Sequence, residues 1–201
     1  MSIKVITAAT AEPLSVSEVK DYLRVDSSAE DALVGVLIAA ARTMCEQYTR
    51  QILMTTTIEE YWDDFPASSA SAPREASGQW FTEYDILRLS RGPVQSVTSV
   101  KYYDGNGVEQ TINSSSYSLD SVNQPARILP VTAWEGIDPN RLNSVIVRYV
   151  VGYASAADVP APLKQAMLLM VGDMYEKRQD SIKQMPSASE YLMNPFRVFE
   201  F

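Results

Sequence analysis

The 201-residue chain contains no histidine and a single cysteine, Cys45. The missing imidazole removes the side chain that titrates nearest neutral pH and the most frequent metal ligand. One thiol can neither close an internal disulfide nor build a cysteine metal cage. Cys45 falls beside an apolar helical stripe, so a core thiol is expected rather than a reactive nucleophile. No run approaches the roughly 20 apolar residues of a membrane span, and the opening MSIKVITAATAEP lacks both a basic start and a long apolar stretch. Secretion and membrane anchoring are therefore not expected. Basic residues are also short: 17 Lys and Arg face 25 Asp and Glu, giving a net charge of -8, with the charges scattered. Without clustered cations to displace counterions, a tight grip on DNA is not expected, although DNA could pass along such a surface.

Little is left from which to build a catalytic centre. Gly152 to Ala156, GYASA, lacks the G-x-S-x-G spacing of a nucleophile elbow, and no histidine exists to activate a serine. The Asp104-Gly-Asn-Gly run resembles part of a calcium loop but lacks the later acidic ligand, and a hairpin turn explains it better. Carboxylates adjoin at Glu59-Glu60 and Asp63-Asp64. Glycosidase chemistry needs two acids facing across a cleft, whereas neighbours on a strand point to opposite faces. A solvated acidic edge is the simpler reading. No catalytic residue, metal ligand or cofactor-binding residue is assigned, and no cofactor is expected.

With 46% apolar residues the chain can fill a sizeable core. The segment LSVSEVKDYLRVD, Leu14 to Asp26, reads as a short helix, because Ser15 and Glu18 have capping-box spacing and Leu14 and Val19 that of a hydrophobic staple. Ser27 and Glu30 repeat the box ahead of a long helix, Asp31 to Leu53, on which Leu33, Val36, Leu37, Ala40, Met44 and Tyr48 form the stripe expected to be buried. The pattern then alternates. Residues 55–62, 86–90, 97–103, 117–120, 127–130 and 144–153 read as about six strands, with a hairpin at Asp104 to Gly107. Between them Pro66 to Gly78, rich in Ser, Ala and Pro, is expected to be a mobile loop. Trp80 and Phe81 after it either anchor the loop to the sheet or meet a partner. Helical spacing returns after Pro160 and Pro162, with Met167, Met170, Val171, Met174 and Tyr175 on one stripe that the long helix could cover.

The expected fold is therefore α+β: a helical base of a short N-terminal helix, a long helix and a long C-terminal helix, with an inserted small antiparallel β-sheet or sandwich. The order of these pieces, continued by RGPVQSVTSVKYYDGNGVEQ from Arg91 and by VRYVVGYASAADVPAPLKQAMLLMVGDMYEKR from Val147, resembles the gp6-like head-tail connector (adaptor) proteins of long-tailed phages and prophages. The likeness spans residues 14 to 180 and lies in the order of patterned segments rather than in a catalytic signature. It implies a structural virion protein at the head-tail junction, not an enzyme, assembled in the host bacterial cytoplasm. Such adaptors form rings of their own copies, usually twelvefold, beneath the portal protein, carry the stopper or tail-completion protein, and let DNA pass without sequence-specific binding.

On this reading residues 1–54 and 155–185 make the ring-forming base, 55–154 the β module, and 186–201 a C-terminal arm. Leu37, Met44, Leu168, Leu169, Tyr175 and Arg178 are the candidate subunit contacts. The chain ends YLMNPFRVFEF, and large apolar side chains at a chain end need a cover. Either the segment docks on its own domain, or Tyr191, Leu192, Met193, Phe196, Phe199 and Phe201, with Arg197 as a polar clamp, insert into the portal. In the second case deleting residues 186 to 201 would leave the fold intact. The rival function is a β-rich binding module that recognises a glycan or peptide through Trp62, Trp80 or Trp134.

Overall fold

The computed structural model describes residues 2–66, 86–131, 134, 136–138, 140–177 and 187–199. Most of the expected mobile loop, Trp80, Phe81, Arg178 and Phe201 lie outside the described residues. The chain divides into two compact units, Met1–Ala8 with Thr56–Val151, and Ala9–Thr55 with Gly152–Phe201.

Among the described residues, all the strands lie in the first unit. A five-stranded antiparallel sheet runs in the order β1 (Ser2–Thr7), β2 (Thr56–Trp62), β8 (Val145–Val151), β4 (Val94–Tyr103), β5 (Glu109–Ile112). A three-stranded sheet runs β3 (Leu87–Arg88), β7 (Arg127–Pro130), β6 (Tyr117–Asp120). β1 was not expected as a strand; residues 2–7, grouped by the sequence reading with the helices, pair antiparallel with β2. The β4–β5 hairpin turns where the Asp-Gly-Asn-Gly run stands. The Asp104 carboxylate accepts from the amides of Asn106 (2.9 Å) and Val108 (3.1 Å), and Gly107 takes φ +75°.

Alternation sorts the large sheet into two faces. Ile3, Glu60, Val147 and Val100 lie opposite one another across four strands, as do Val5, Ile58 and Tyr149 across three. Ile58, Val100, Val147 and Tyr149 are fully buried, as are Leu87 and Ile128 of the small sheet. Burying each such aliphatic side chain contributes about 1.5–3 kcal/mol before chain entropy is charged against it. The other face carries Lys4, Glu59, Tyr61, Arg148 and Lys101, which are polar or charged.

The second unit packs α2 (Asp31–Thr49) against α3 (Ala161–Glu176), with α1 (Val16–Leu23) and α4 (Ser187–Met193) laid on them. At the start of α1 the capping box forms: Ser15 Oγ accepts from the Glu18 amide (3.1 Å) and Glu18 Oε2 accepts from the Ser15 amide (2.7 Å). These bonds hold the Glu18 carboxyl below the usual carboxylate range. Leu14 and Val19 are both buried, as a staple requires. The second box does not form. Ser27 instead caps a single 3-10 turn, Ser28–Glu30, and the Glu30 carboxylate accepts from the Tyr175 hydroxyl of α3.

The buried stripe of α2 is Val34, Ile38, Ala41, Cys45 and Thr49, one position on from the expected one. Leu33 and Val36 are instead 39% and 66% exposed, while Leu37, Met44 and Tyr48 flank the core half-buried. On α3 the expected stripe holds for Met167, Met170 and Val171, which are buried, and Met174 lies at its margin. Cys45 is fully buried and its thiol is pushed up to about 12, chiefly by burial, which keeps it protonated and inert.

Candidate functional site

With no histidine in the chain, the carboxylates are the first groups to test for chemistry. Glu59 and Glu60 project to opposite faces of β2. Burial works to raise Glu59, but hydrogen bonds from the Tyr61 hydroxyl (2.6 Å) and Arg148 Nε (2.9 Å) outweigh it and hold the carboxyl low. Glu60 is fully buried and accepts from the Tyr149 hydroxyl (2.6 Å) and the Ser90 amide (3.2 Å), and burial pushes it up. Asp63 accepts from the Asn143 amide (2.8 Å), a loop contact. None of these arrangements sets two acids across a cleft. Ser155 bonds locally to the Asp158 carboxylate (2.8 Å) in the turn before α3. Among the described residues, no group of three or more His, Cys, Asp or Glu side chains could hold a metal ion.

Of the aromatic side chains expected to serve a binding module, Trp134 is placed as packing. Trp134 is 7% exposed and stacks on Phe65 with ring centroids 4.6 Å apart, so it offers no platform for a sugar or peptide. Trp62 is half-buried and Trp80 lies outside the described residues.

The C-terminal segment docks on its own helical unit. Ser189 Oγ donates to the Ala166 carbonyl (3.2 Å), the Tyr48 hydroxyl to Asn194 Oδ1 (2.6 Å), Gln51 Nε2 to the Phe196 carbonyl (2.7 Å), and the Val198 amide to the Thr49 carbonyl (2.9 Å). Met193 is fully buried and Val198 nearly so, while Leu192 and Phe196 pack half-buried against the same core. Tyr191 is 76% exposed and Phe199 56%. Arg197 lies over the rings of Tyr48 and Phe199, at 5.5 and 5.1 Å from their centroids. The expected row of anchors thus divides. Met193 is a core residue, Leu192 and Phe196 are largely committed to intrachain packing, and Tyr191, Arg197 and Phe199 face outward. The expectation that residues 186 to 201 are dispensable for the fold does not survive, because deletion would remove buried Met193 and Val198.

The candidate subunit contacts divide in the same way. Leu37, Met44 and Leu168 pack against the helical core. Leu169 and Tyr175 instead line an open cleft of about 500 Å³ between the end of α1 and the last turns of α3, together with Tyr22, Arg24 and Asp173. The residues that sequence reasoning missed are Leu33 and Val36, exposed on α2. No sequence signal separates them from the buried set, because every residue from Ala32 to Ala41 except Gly35 is apolar.

The chain is similar to known proteins in sequence and in fold. The family model described as phage gp6-like head-tail connector protein matches residues 13–141. No curated protein matches the chain. Among solved structures, a chain in the neck of an empty GTA particle, computed with C6 symmetry, is 25% identical with a TM-score of 0.76, the likeness covering 100% of this chain and 97% of that one. A chain in the virion of a native gene transfer agent particle is 24% identical with a TM-score of 0.75 over the same shares. One in the neck of a native GTA particle, computed with C12 symmetry, is 23% identical with a TM-score of 0.69, again over 100% and 97%.

Proposed function

The chain belongs to the phage gp6-like head-tail connector family, and from that premise we propose that it stands as a ring of identical subunits between the portal and the tail of a phage-like particle. Its role is structural, and no catalysis is assigned to it. The observation that carries this reading is the full-length likeness to a neck chain, joined to a family match over residues 13–141. Proteins of known necks computed with C6 and C12 symmetry support a ring.

A ring needs heterologous contacts, in which one surface of a subunit meets a different surface of the next. Leu33, Val36, Leu169 and Tyr175 are the side chains of the helical unit proposed for that contact, since Leu37, Met44 and Leu168 are already packed. Arg178 stays in the proposal as a polar contact following α3. Tyr191, Arg197 and Phe199 are proposed to meet the portal, because exposed aromatic and Arg side chains are the usual anchors of an interface. A stopper or tail-completion protein takes the opposite side, and DNA passes through the opening without being gripped, in keeping with a net charge of -8. The particle forms in the cytoplasm of a bacterial host.

The test is co-sedimentation of the chain with purified portal rings. Tyr191→Ala combined with Phe199→Ala should abolish association while the far-UV spectrum and unfolding midpoint stay unchanged. Undiminished association of that variant rules out these anchors.

A further inference from the structure

Among the described residues no further strand pairs with either edge of the five-stranded sheet, where β1 and β5 stand at the two ends. β1 is exposed along all six residues, and Ile3 and Val5 are 38% and 56% exposed. An exposed edge with apolar side chains and a single charge is a template for pairing with another chain, and soluble proteins ordinarily blunt such edges. β1 carries only Lys4 as protection.

The topology says what could fill it. Every neighbouring pair in the order β1-β2-β8-β4-β5 is antiparallel, so with five strands β1 and β5 point the same way. A second copy placed beside the first in the same orientation therefore brings its β1 parallel to β5. The faces agree as well. Tyr103 stands opposite Glu109 and Lys101 opposite Thr111, on the polar face that also carries Lys4. Gln110 and Ile112 fall on the core face, together with Ile3 and Val5. Sliding β1 along β5 so that Ser2 meets Glu109 sets Val5 beside Ile112 and Lys4 beside Thr111, diagonal to Glu109. The apolar face and the charge pairing both continue across the join. Pairing of β1 with β1 would be self-complementary and would stop at two copies.

We infer that β1 of each subunit adds in parallel to the β5 edge of the next copy, so that the sheets join head to tail around the ring. This rests on the connector reading. It supplies a second pair of unlike, complementary surfaces beside that of the helical unit.

The test is a chain with Lys4→Cys and Thr111→Cys. Within one subunit β1 and β5 are four strand spacings apart, about 19 Å at ~4.8 Å each, beyond the roughly 7 Å Cα limit for a disulfide. Any bond between the two must therefore join different copies, and buried Cys45 does not compete. The double variant and each single variant are assembled on portal rings, inspected by electron microscopy, oxidised, and run on a non-reducing gel. Expected is a ladder at multiples of the chain mass from the double variant and none from either single one. A dimer from Lys4→Cys alone overturns the parallel join in favour of β1–β1 pairing. Rings that form but stay monomeric on the gel overturn the edge join and leave the connector reading standing; the absence of any ring overturns both. Hydrogen exchange of the unmodified chain is the check independent of substitution: amides 2–7 and 109–112 should slow on assembly, and unchanged exchange there in formed rings also overturns the join.

Discussion

Met193→Ala should unlatch the C-terminal segment from the helical unit. The side chain is fully buried at the end of α4, against a core built from α2 and α3. Truncating a buried methionine to alanine costs about 2–5 kcal/mol, the spread depending on how far the surroundings collapse. Here the lower half applies, about 2–3 kcal/mol, because α4 is a short element at the rim of its unit and can settle into part of the space. Four hydrogen bonds between this segment and the α2 and α3 region remain, so the helix should loosen rather than vanish. Urea unfolding followed at 222 nm reads the stability change, and amide exchange over residues 187–199 reads the loosening. The paired control is Tyr191→Ala, 76% exposed two residues earlier, which should stay within about 0.5 kcal/mol of the parent. A Met193→Ala loss no larger than that of Tyr191→Ala would refute the docked segment and restore a free arm.

Gly152→Ala should be among the most damaging single changes in the helical unit. Gly152 sits at φ +104°, and a Cβ there would stand 2.3 Å from the Met54 carbonyl oxygen, a backbone atom with little room to move. Unfavourable backbone at about 1–3 kcal/mol plus overpacking of similar size predicts a loss of roughly 3 kcal/mol or more, measurable by thermal unfolding. Glu60 makes the β unit sensitive to pH. Its folded pKa is raised, so its contribution is fully present below the ordinary carboxylate pKa and is lost as pH rises through the folded value. The stability of Glu60→Gln relative to the parent should therefore climb with pH above about 4.5, and a flat difference between pH 4 and 8 would contradict the raised pKa of the buried acid. Ser15→Ala removes the cap of α1 and should cost about 1 kcal/mol; Ser15→Gly, only a few tenths.

The elements that carry their own local signals were legible in the sequence. Ser15 with Glu18, the Asp-Gly-Asn-Gly turn and Pro162 at the start of α3 each state a backbone geometry within a few residues, and each is found there. The phase of α2 was not legible in the same way. From Ala32 to Ala41 every residue except Gly35 is apolar, so several stripes fit the helical period equally. Only the docking of α1, α3 and α4 selects Val34, Ile38, Ala41 and Cys45. Likewise Ser27 and Glu30 have box spacing, but Glu30 is drawn to Tyr175, a partner 145 residues away. β1 escaped notice although Ser2 to Val5 alternate polar and apolar, because four residues are the shortest run that carries the strand signal and apolar Ile6 breaks it. The C-terminal segment admitted two readings from composition alone. The hydrogen bonds to Thr49 and Gln51 favour docking for most of it, while Tyr191 and Phe199 remain available to a partner.

A ring of this chain seated on a portal is a directly visible object. Electron microscopy of the purified chain mixed with portal rings tests it most directly, with the chain alone and the portal alone as references. Expected is an added annular layer of regular cyclic symmetry on the portal's tail-facing end. Portal rings that stay bare across a range of salt and stoichiometry would contradict it.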